Sequence, residues 1–322
     1  MVMNTRSINA GTNVADDAPV VSVRGARTGL RAPGAAAPAL RTESEIESIR
    51  AAGTVLRSAL DAAAARCVPG ARTRDLDEAA RIAIENAGAE PLFLHYPEYV
   101  RGQGFPAIAC VSVNDAVIHG LPGRLRLEEG DLVSIDCGVR LDGWCADAAI
   151  TVSVGAMRQS HRALVEATRA VLELAIDRIR PGIRWSAIAS EMEARTAEAG
   201  FGVVEEYVGH GIGRKLHESP SAPSVMTRSL RHRGDFTLRP GMVLAVEPML
   251  VMPGHETDAI STGDDRATRV ATRKDADGWT VRTVSGAISC HLEHTVAVTR
   301  SGSEVLTDGA RSSEVARKCG KE

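Results

Sequence analysis

The six cysteines of this 322-residue chain (67, 110, 137, 145, 290 and 319) form no CxxC pair and no dense cluster. That spacing excludes a disulfide framework and a zinc finger, and the thiols read as the reduced cysteines of a cytoplasmic protein. No stretch of 18 or more apolar residues exists, so no transmembrane helix is expected. The first 40 residues contain no apolar core of a secretory signal, and Asp16 and Asp17 argue against an organelle transit peptide. The formal net charge is only -3, which gives no general attraction to nucleic acid or to a membrane surface. A basic cluster, Arg228 to Arg233, is expected to be a solvated loop.

What remains is an ordinary globular composition, 44% hydrophobic and 25% charged. Residues 1–40 lack periodic hydrophobicity and are expected to be a disordered extension. A single domain is expected over 41–310, with a tail at 311–322.

The chain repeats itself. Leu127-Glu-Glu-Gly130-Asp-Leu-Val-Ser-Ile135-Asp136 and Leu238-Arg-Pro-Gly241-Met-Val-Leu-Ala-Val246-Glu247 both place a carboxylate nine positions after Leu and six after Gly. Pro69-Gly70 leads to Gly88, and Pro181-Gly182 leads to Gly200, each glycine following its partner by 18 positions. The copies are offset by 112 residues at the Pro-Gly pair (181 − 69) and by 111 at the strand (238 − 127). A duplicated unit thus aims a carboxylate twice in the same register.

Thr42-Glu-Ser-Glu45 is a capping-box pattern ahead of Ile46, Ile49, Ala52 and Val55, and predicts a helix to about Cys67. A second helix is expected over 72–86, with Leu76, Ala79, Ala80, Ala83 and Ile84 inward and Gly88 at its end. Helices at 160–179 and 185–199 follow the same periodicity. A strand and hairpin are expected over 106–118, and strands at 131–139, 144–153, 202–208, 242–250, 279–285 and 292–299. The Gly, Asp, Thr and Ser content of 254–273 predicts a long loop. The fold class is α+β, with mainly antiparallel hairpins.

Asp136, Asp147, His210, Glu247 and Glu293 are candidate metal ligands, because carboxylate oxygen and imidazole nitrogen suit divalent transition metals. Asp136 and Asp147 stand eleven apart about a hairpin turn at Asp142-Gly143, which brings them to one face. Taken singly, Asp136 or Glu247 is an ordinary hydrogen-bonded acid. Their apolar neighbours Ile135 and Val246 weaken that reading, since a buried carboxylate needs a compensating partner. His210 lies among glycines in Val-Gly-His-Gly-Ile-Gly, His217 follows seven later in Leu216-His217-Glu218, and His119 closes Val113-Asn-Asp-Ala-Val-Ile-His119-Gly120. A lone histidine is more often a hydrogen-bonded structural residue, but these three beside the carboxylate repeat point towards function.

Together these segments resemble the methionine aminopeptidases, in their short type I form. The matching pieces are Val-Asn-Asp-Ala-Val-Ile-His119-Gly-Leu-Pro, Ser-Ile-Asp136 with Asp147, Gly-His210-Gly-Ile-Gly with His217, Gly-Met-Val-Leu-Ala-Val-Glu247-Pro-Met, Asp-Gly-Trp279-Thr-Val and Glu293-His-Thr-Val. They run in order over about 41–308, and only 30 residues separate His217 from Glu247, where type II forms carry an insertion.

The resemblance implies a pita-bread fold with a pseudo-twofold repeat and antiparallel sheets covered by helices. It implies two divalent metal ions (Co, Mn, Fe or Zn) and hydrolytic removal of the initiator methionine when the next residue is small. Asp136 and Asp147 would hold one ion; Asp147, His210, Glu247 and Glu293 would hold the other, with Asp147 and Glu293 bridging. Glu247 would be the general base, His119 and His217 would contact substrate, and Phe105, Cys110 and Trp279 would form the methionine pocket. The implied partners are nascent polypeptides with N-terminal Met, a ribosome contact being left open. A monomer, with neither membrane nor specific nucleic-acid binding, is expected.

The chain departs from the family pattern at Gly138 (usually Thr), Leu216 (commonly Phe), His291 (commonly Gln) and Gly102 (a pocket Tyr in many bacterial relatives). Two other readings stand beside this one: a proline-directed peptidase of the same fold, and a binding module that has lost catalysis.

Overall fold

The computed structural model describes residues 37–97, 104–232, 234–253, 259–260 and 269–309. The extension through residue 36, Gly102, Arg233, Cys319, most of 254–268 and the tail after 309 lie outside them. The described residues belong to one compact unit, Pro33–Glu322.

The first half contains α1 (Glu43–Ala64), α2 (Thr73–Asn86), β1 (Glu90–Pro91), β2 (Ala109–Val113), β3 (Ala116–Ile118), β4 (Leu132–Leu141) and β5 (Trp144–Ser153). The second opens with α3 (Gln159–Arg178), α4 (Trp185–Glu198), β6 (Gly202–Val203), β7 (Gly209–Gly211), β8 (Glu218–Ala222) and α5 (Arg228–His232). It continues with β9 (Val243–Val246), β10 (Met249–Val251), β11 (Ala259–Ile260), β12 (Arg269–Val270), β13 (Thr272–Lys274) and β14 (Val281–Thr283). It closes with β15 (Ser289–His291), β16 (His294–Val298) and β17 (Ser303–Val305).

Each helix pair packs on its own sheet. Helix α1 starts at the expected capping box: Glu45 N–H donates to Thr42 Oγ1 at 3.3 Å, and Thr42 N–H donates to Glu45 Oε2 at 2.9 Å. Its apolar face (Ala52, Leu56, Leu60) shares a core with Leu76 and Ile84 of α2 and Val133, Ile135 and Val139 of β4. Ala79 and Ala83 are only half-buried, because they flank the stripe formed by Leu76, Ala80 and Ile84. Helices α3 and α4 form the corresponding core with Leu244 and Val246 of β9 and Val296 of β16.

Backbone hydrogen bonds bear out the duplication. Gly70 donates to Leu127 O at 2.7 Å, and Gly182 to Leu238 O at 2.9 Å. In return Leu127 donates to Ala71 O at 2.8 Å and Leu238 to Ile183 O at 2.9 Å. Gly130 donates to Val154 O at 2.8 Å and Gly241 to Val298 O at 2.9 Å. Strand β9 therefore stands in the second half where β4 stands in the first, as the shared Gly-to-carboxylate spacing requires.

Three expectations need correction. The stretch 254–273 is not simply a loop: Ala259 pairs with Val270 and Ile260 with Arg269 in an antiparallel ladder, and Thr272–Lys274 pairs with β14. Buried Arg269 anchors this hairpin on Glu193 of α4 at 2.9 Å, a tertiary contact that composition does not register. The strand expected over 202–208 is reduced to Gly202–Val203. Residues 228–232 of the basic cluster form the short helix α5 rather than a loop.

Candidate metal centre

The β4–β5 hairpin turns where expected, with Leu141 paired to Trp144 across Asp142-Gly143, both at positive φ (49° and 75°). Such a two-residue turn matches the twist of the strands it joins. The register sets Asp136 opposite Ala149 and Asp147 opposite Gly138. The two aspartates are therefore diagonal neighbours on one face, not a directly opposed pair.

Three contacts sew this hairpin to the second half. Asp147 N–H donates to Thr295 Oγ1 at 3.0 Å, and that hydroxyl donates to Asp147 O at 2.7 Å. Glu293 N–H donates to Ala149 O at 3.0 Å. Thr151 Oγ1 donates to His291 O at 2.6 Å. Alternate residues of β5 thus meet alternate residues of 291–295, which sets Asp147 beside Glu293. Strand β9 pairs Val246 with His294, so Glu247 and Glu293 each lie one residue beyond that last pair.

His210 reaches the same point from β7, whose residues Gly209 and Gly211 are fixed by close packing. A Cβ at Gly209 would lie 2.4 Å from Ala245 O, and one at Gly211 would lie 2.4 Å from Ser219 O. Nδ1 of His210 is 3.0 Å from Gly211 O, so it carries the ring proton and leaves Nε2 as a lone-pair donor. Donor atoms of Asp147, His210 and Glu293 come within 4.8 Å of one another. Nε2 of His210 is 3.8 Å from Asp147 Oδ2 and 3.8 Å from Glu247 Oε1. Asp136 joins through its field, which acts on Asp147, Glu247 and Glu293.

The electrostatics of this cluster fit a cation. Burial pushes the Asp136 carboxyl up to about 7 and, with the charge of Asp136, the Glu247 carboxyl up to about 8. Burial first, and then the neighbouring carboxylates, drive Asp147 and Glu293 well above the usual range. Burial holds His210 down to about 4. Asp136 Oδ1, Asp147 Oδ1 and Glu293 Oε1 are buried with no hydrogen-bond partner among the described residues. Orphaned carboxylate oxygens converging on a neutral imidazole constitute a costly arrangement that a divalent cation satisfies.

The remaining expected residues surround this point. His119 is neutral near pH 7, held down to about 4 by burial and then by Lys274 and His217. The His217 and His210 rings lie 4.1 Å apart. Phe105, Cys110 and Trp279 belong to one apolar cluster, with Phe105 and Trp279 edge to face at 5.3 Å. Sequence reasoning missed three neighbours: Tyr96, whose hydroxyl meets His217; Tyr207, edge to face with His119 at 5.5 Å; and His291, noted only as a departure. The signal for His291 was its alternation with Glu293, two residues on along an extended segment.

Residues 47–300 match metallopeptidase family M24. The chain is 41% identical over 276 residues to methionine aminopeptidase 1 of Mycobacterium tuberculosis, covering 84% of this chain and 94% of that protein. It is 38% identical over 272 residues to the methionine aminopeptidase of Aquifex aeolicus, covering 84% and 98%. Among solved structures, the methionine aminopeptidase of Thermotoga maritima superimposes with a TM-score of 0.74 at 36% identity, covering 84% of this chain and 99% of that one.

Proposed function

The chain belongs to metallopeptidase family M24, with its pita-bread fold, and we propose on that footing that it removes N-terminal methionine from polypeptides whose second residue is small. Membership implies use of a divalent metal. The observation that carries the reading is the convergence of Asp136, Asp147, His210, Glu247 and Glu293 from both halves, with orphaned oxygens among them.

The finer assignments are our own. Asp136 and Asp147 would hold one ion and Asp147, His210, Glu247 and Glu293 a second, of Co, Mn, Fe or Zn. Divalent ions held there would supply Lewis acidity toward a carbonyl and toward water. The chain's residues account for the rest. Glu247, whose carboxyl burial has made more basic, takes the proton from the attacking water at a carboxylate oxygen and returns it to the departing amine. Neutral His119 and His217 donate N–H to the carbonyl oxygen as charge develops on it, so they bind the transition state more tightly than the substrate. Phe105, Cys110 and Trp279 receive the methionine side chain, and their apolar cluster excludes water from it.

Because one chain supplies every ligand, a monomer suffices. Among the described residues no helix is long and apolar enough to cross a membrane. The proposed substrates are nascent chains in the cytoplasm. Incubation of the purified protein with Met-Ala-Ser and supplied Mn, Co or Fe should release methionine. Cleavage of X-Pro peptides with no action on Met-Ala-Ser would overturn the proposal.

A further inference from the structure

His291 ends β15, where it pairs with Met249 of β10. Its backbone is held from both sides, since its amide donates to Ser134 Oγ at 3.3 Å and its carbonyl accepts from Thr151 Oγ1 at 2.6 Å. The main chain is thus held in place, and the residue is buried, with only 2% of it exposed. Its Nε2 lies 3.8 Å from Glu247 Oε2 and 3.9 Å from Glu293 Oε2, with no hydrogen-bond partner among the described residues.

These spacings repeat those of His210, whose Nε2 stands 3.8 Å from one oxygen of Asp147 and 3.8 Å from Glu247 Oε1. The Glu247 carboxylate thus has an imidazole at each oxygen. Were His291 Nε2–H a donor to either glutamate, the separation would be about 2.7–2.9 Å, as for other hydrogen bonds to carboxylates. Separations near 3.8 Å exceed any hydrogen bond. They suit donor atoms that share a cation, which stand roughly 3–4 Å apart when each bond is about 2.0–2.2 Å.

We propose that His291 Nε2 is a further protein ligand of the metal centre, a second imidazole beside His210. This rests on the reading of that cluster as a metal site. A second nitrogen donor shifts the site's preference away from Mn and toward Co and Zn.

Proton NMR of the cobalt-loaded full-length protein tests the assignment by counting. A histidine bound through Nε2 keeps its Nδ1 proton, which gives one far-shifted resonance that vanishes in deuterated water. Two such resonances are expected for the unaltered protein, one for His291→Gln and one for His210→Gln. A single resonance in the unaltered protein would overturn the assignment without recourse to any variant. Two resonances that both persist in His291→Gln would also overturn it. Failure of the unaltered protein to bind cobalt at all would instead sink the metal-centre reading, and this inference with it.

Discussion

The hydroxyl of Tyr96 lies 2.6 Å from Nδ1 of His217, joining residues 121 positions apart in sequence. With the phenol donating, Nδ1 is the acceptor and the ring proton stays on Nε2, the atom that the role proposed for His217 requires as the donor to a substrate carbonyl. The loop that presents His217 is held in turn by Glu218, which accepts the amides of Arg214 at 2.8 Å and Lys215 at 3.1 Å. Tyr96→Phe removes the proton that fixes the tautomer while keeping the ring against His217. One neutral hydrogen bond is worth about 1 kcal/mol, so kcat/KM should fall roughly fivefold with metal content unchanged. An unchanged kcat/KM on Met-Ala-Ser would show that the hydroxyl does not orient His217.

Glu247→Gln keeps the shape of the side chain and removes its basicity. Turnover should fall by roughly 10²–10⁴, the usual worth of a general base, beyond any loss of metal. Above about pH 8, where the folded metal-free protein would ionise Glu247, the variant should melt no lower than the unaltered protein, because it lacks that further charge beside Asp136. Near-normal turnover at full metal content would remove Glu247 from the role given to it.

His119→Ala should retain every ion, since His119 is assigned to substrate. Its loss should appear chiefly in kcat, by roughly 10²–10³, as for other donors to a developing oxyanion. Elemental analysis that finds an ion missing would make His119 a ligand.

The legible parts of this molecule are those set by local chemistry or by exact repetition. The Thr42-to-Glu45 capping box marks the start of α1, and Asp142-Gly143 marks the turn that aligns Asp136 and Asp147. The two Leu-Gly-carboxylate copies foretell equivalent strands because spacing to a shared hydrogen-bonded glycine sets the register. What was hidden depends on which segments lie side by side. His291 enters the centre because Thr151 and Ser134 hold its backbone, and nothing near residue 291 encodes that pairing. Tyr96 meets His217 only after the two halves close. The β11–β12 ladder is masked by loop-like composition, and its anchor, the Arg269–Glu193 pair, spans 76 positions.

The metal-free protein should lose stability as pH rises from about 6.5 to 8. Asp136 and Glu247 titrate near 7 and 8 when folded, and Asp147 and Glu293 are also raised, whereas unfolded carboxyls titrate near 4. The folded state therefore binds more protons than the unfolded chain across this window, and stability falls with pH by up to about 1.4 kcal/mol per unit for each such proton. His119, His210, His217, His291 and His294 act oppositely, but chiefly below about 6.5, and their effect fades through the window as the unfolded imidazoles lose their charge. Bound metal should abolish the decline by replacing the protons. Melting temperatures of chelator-treated protein that stay level or climb between these pH values would contradict this account.

We place the start of the catalytic domain just before Arg41, and truncation should show a sharp boundary there. Arg41 N–H donates to Gly241 O at 2.7 Å, and the guanidinium pairs with Glu218 and lies 5.4 Å from the Trp144 ring centroid. This one residue ties the chain entering α1 to the glycine that opens the β9 segment and to the glutamate that holds the His217 loop. A chain beginning at Leu40 keeps all of these contacts and the Thr42 cap, so it should cleave short peptides as well as the full-length protein does. A chain beginning at Ile46 loses the cap, worth about 1 kcal/mol, together with the Arg41 contacts, and should both melt lower and turn over more slowly. Equal activity in both truncated chains would show that Arg41 does not support the site. A large drop in kcat/KM already at Leu40 would place residues before 40 within the catalytic unit.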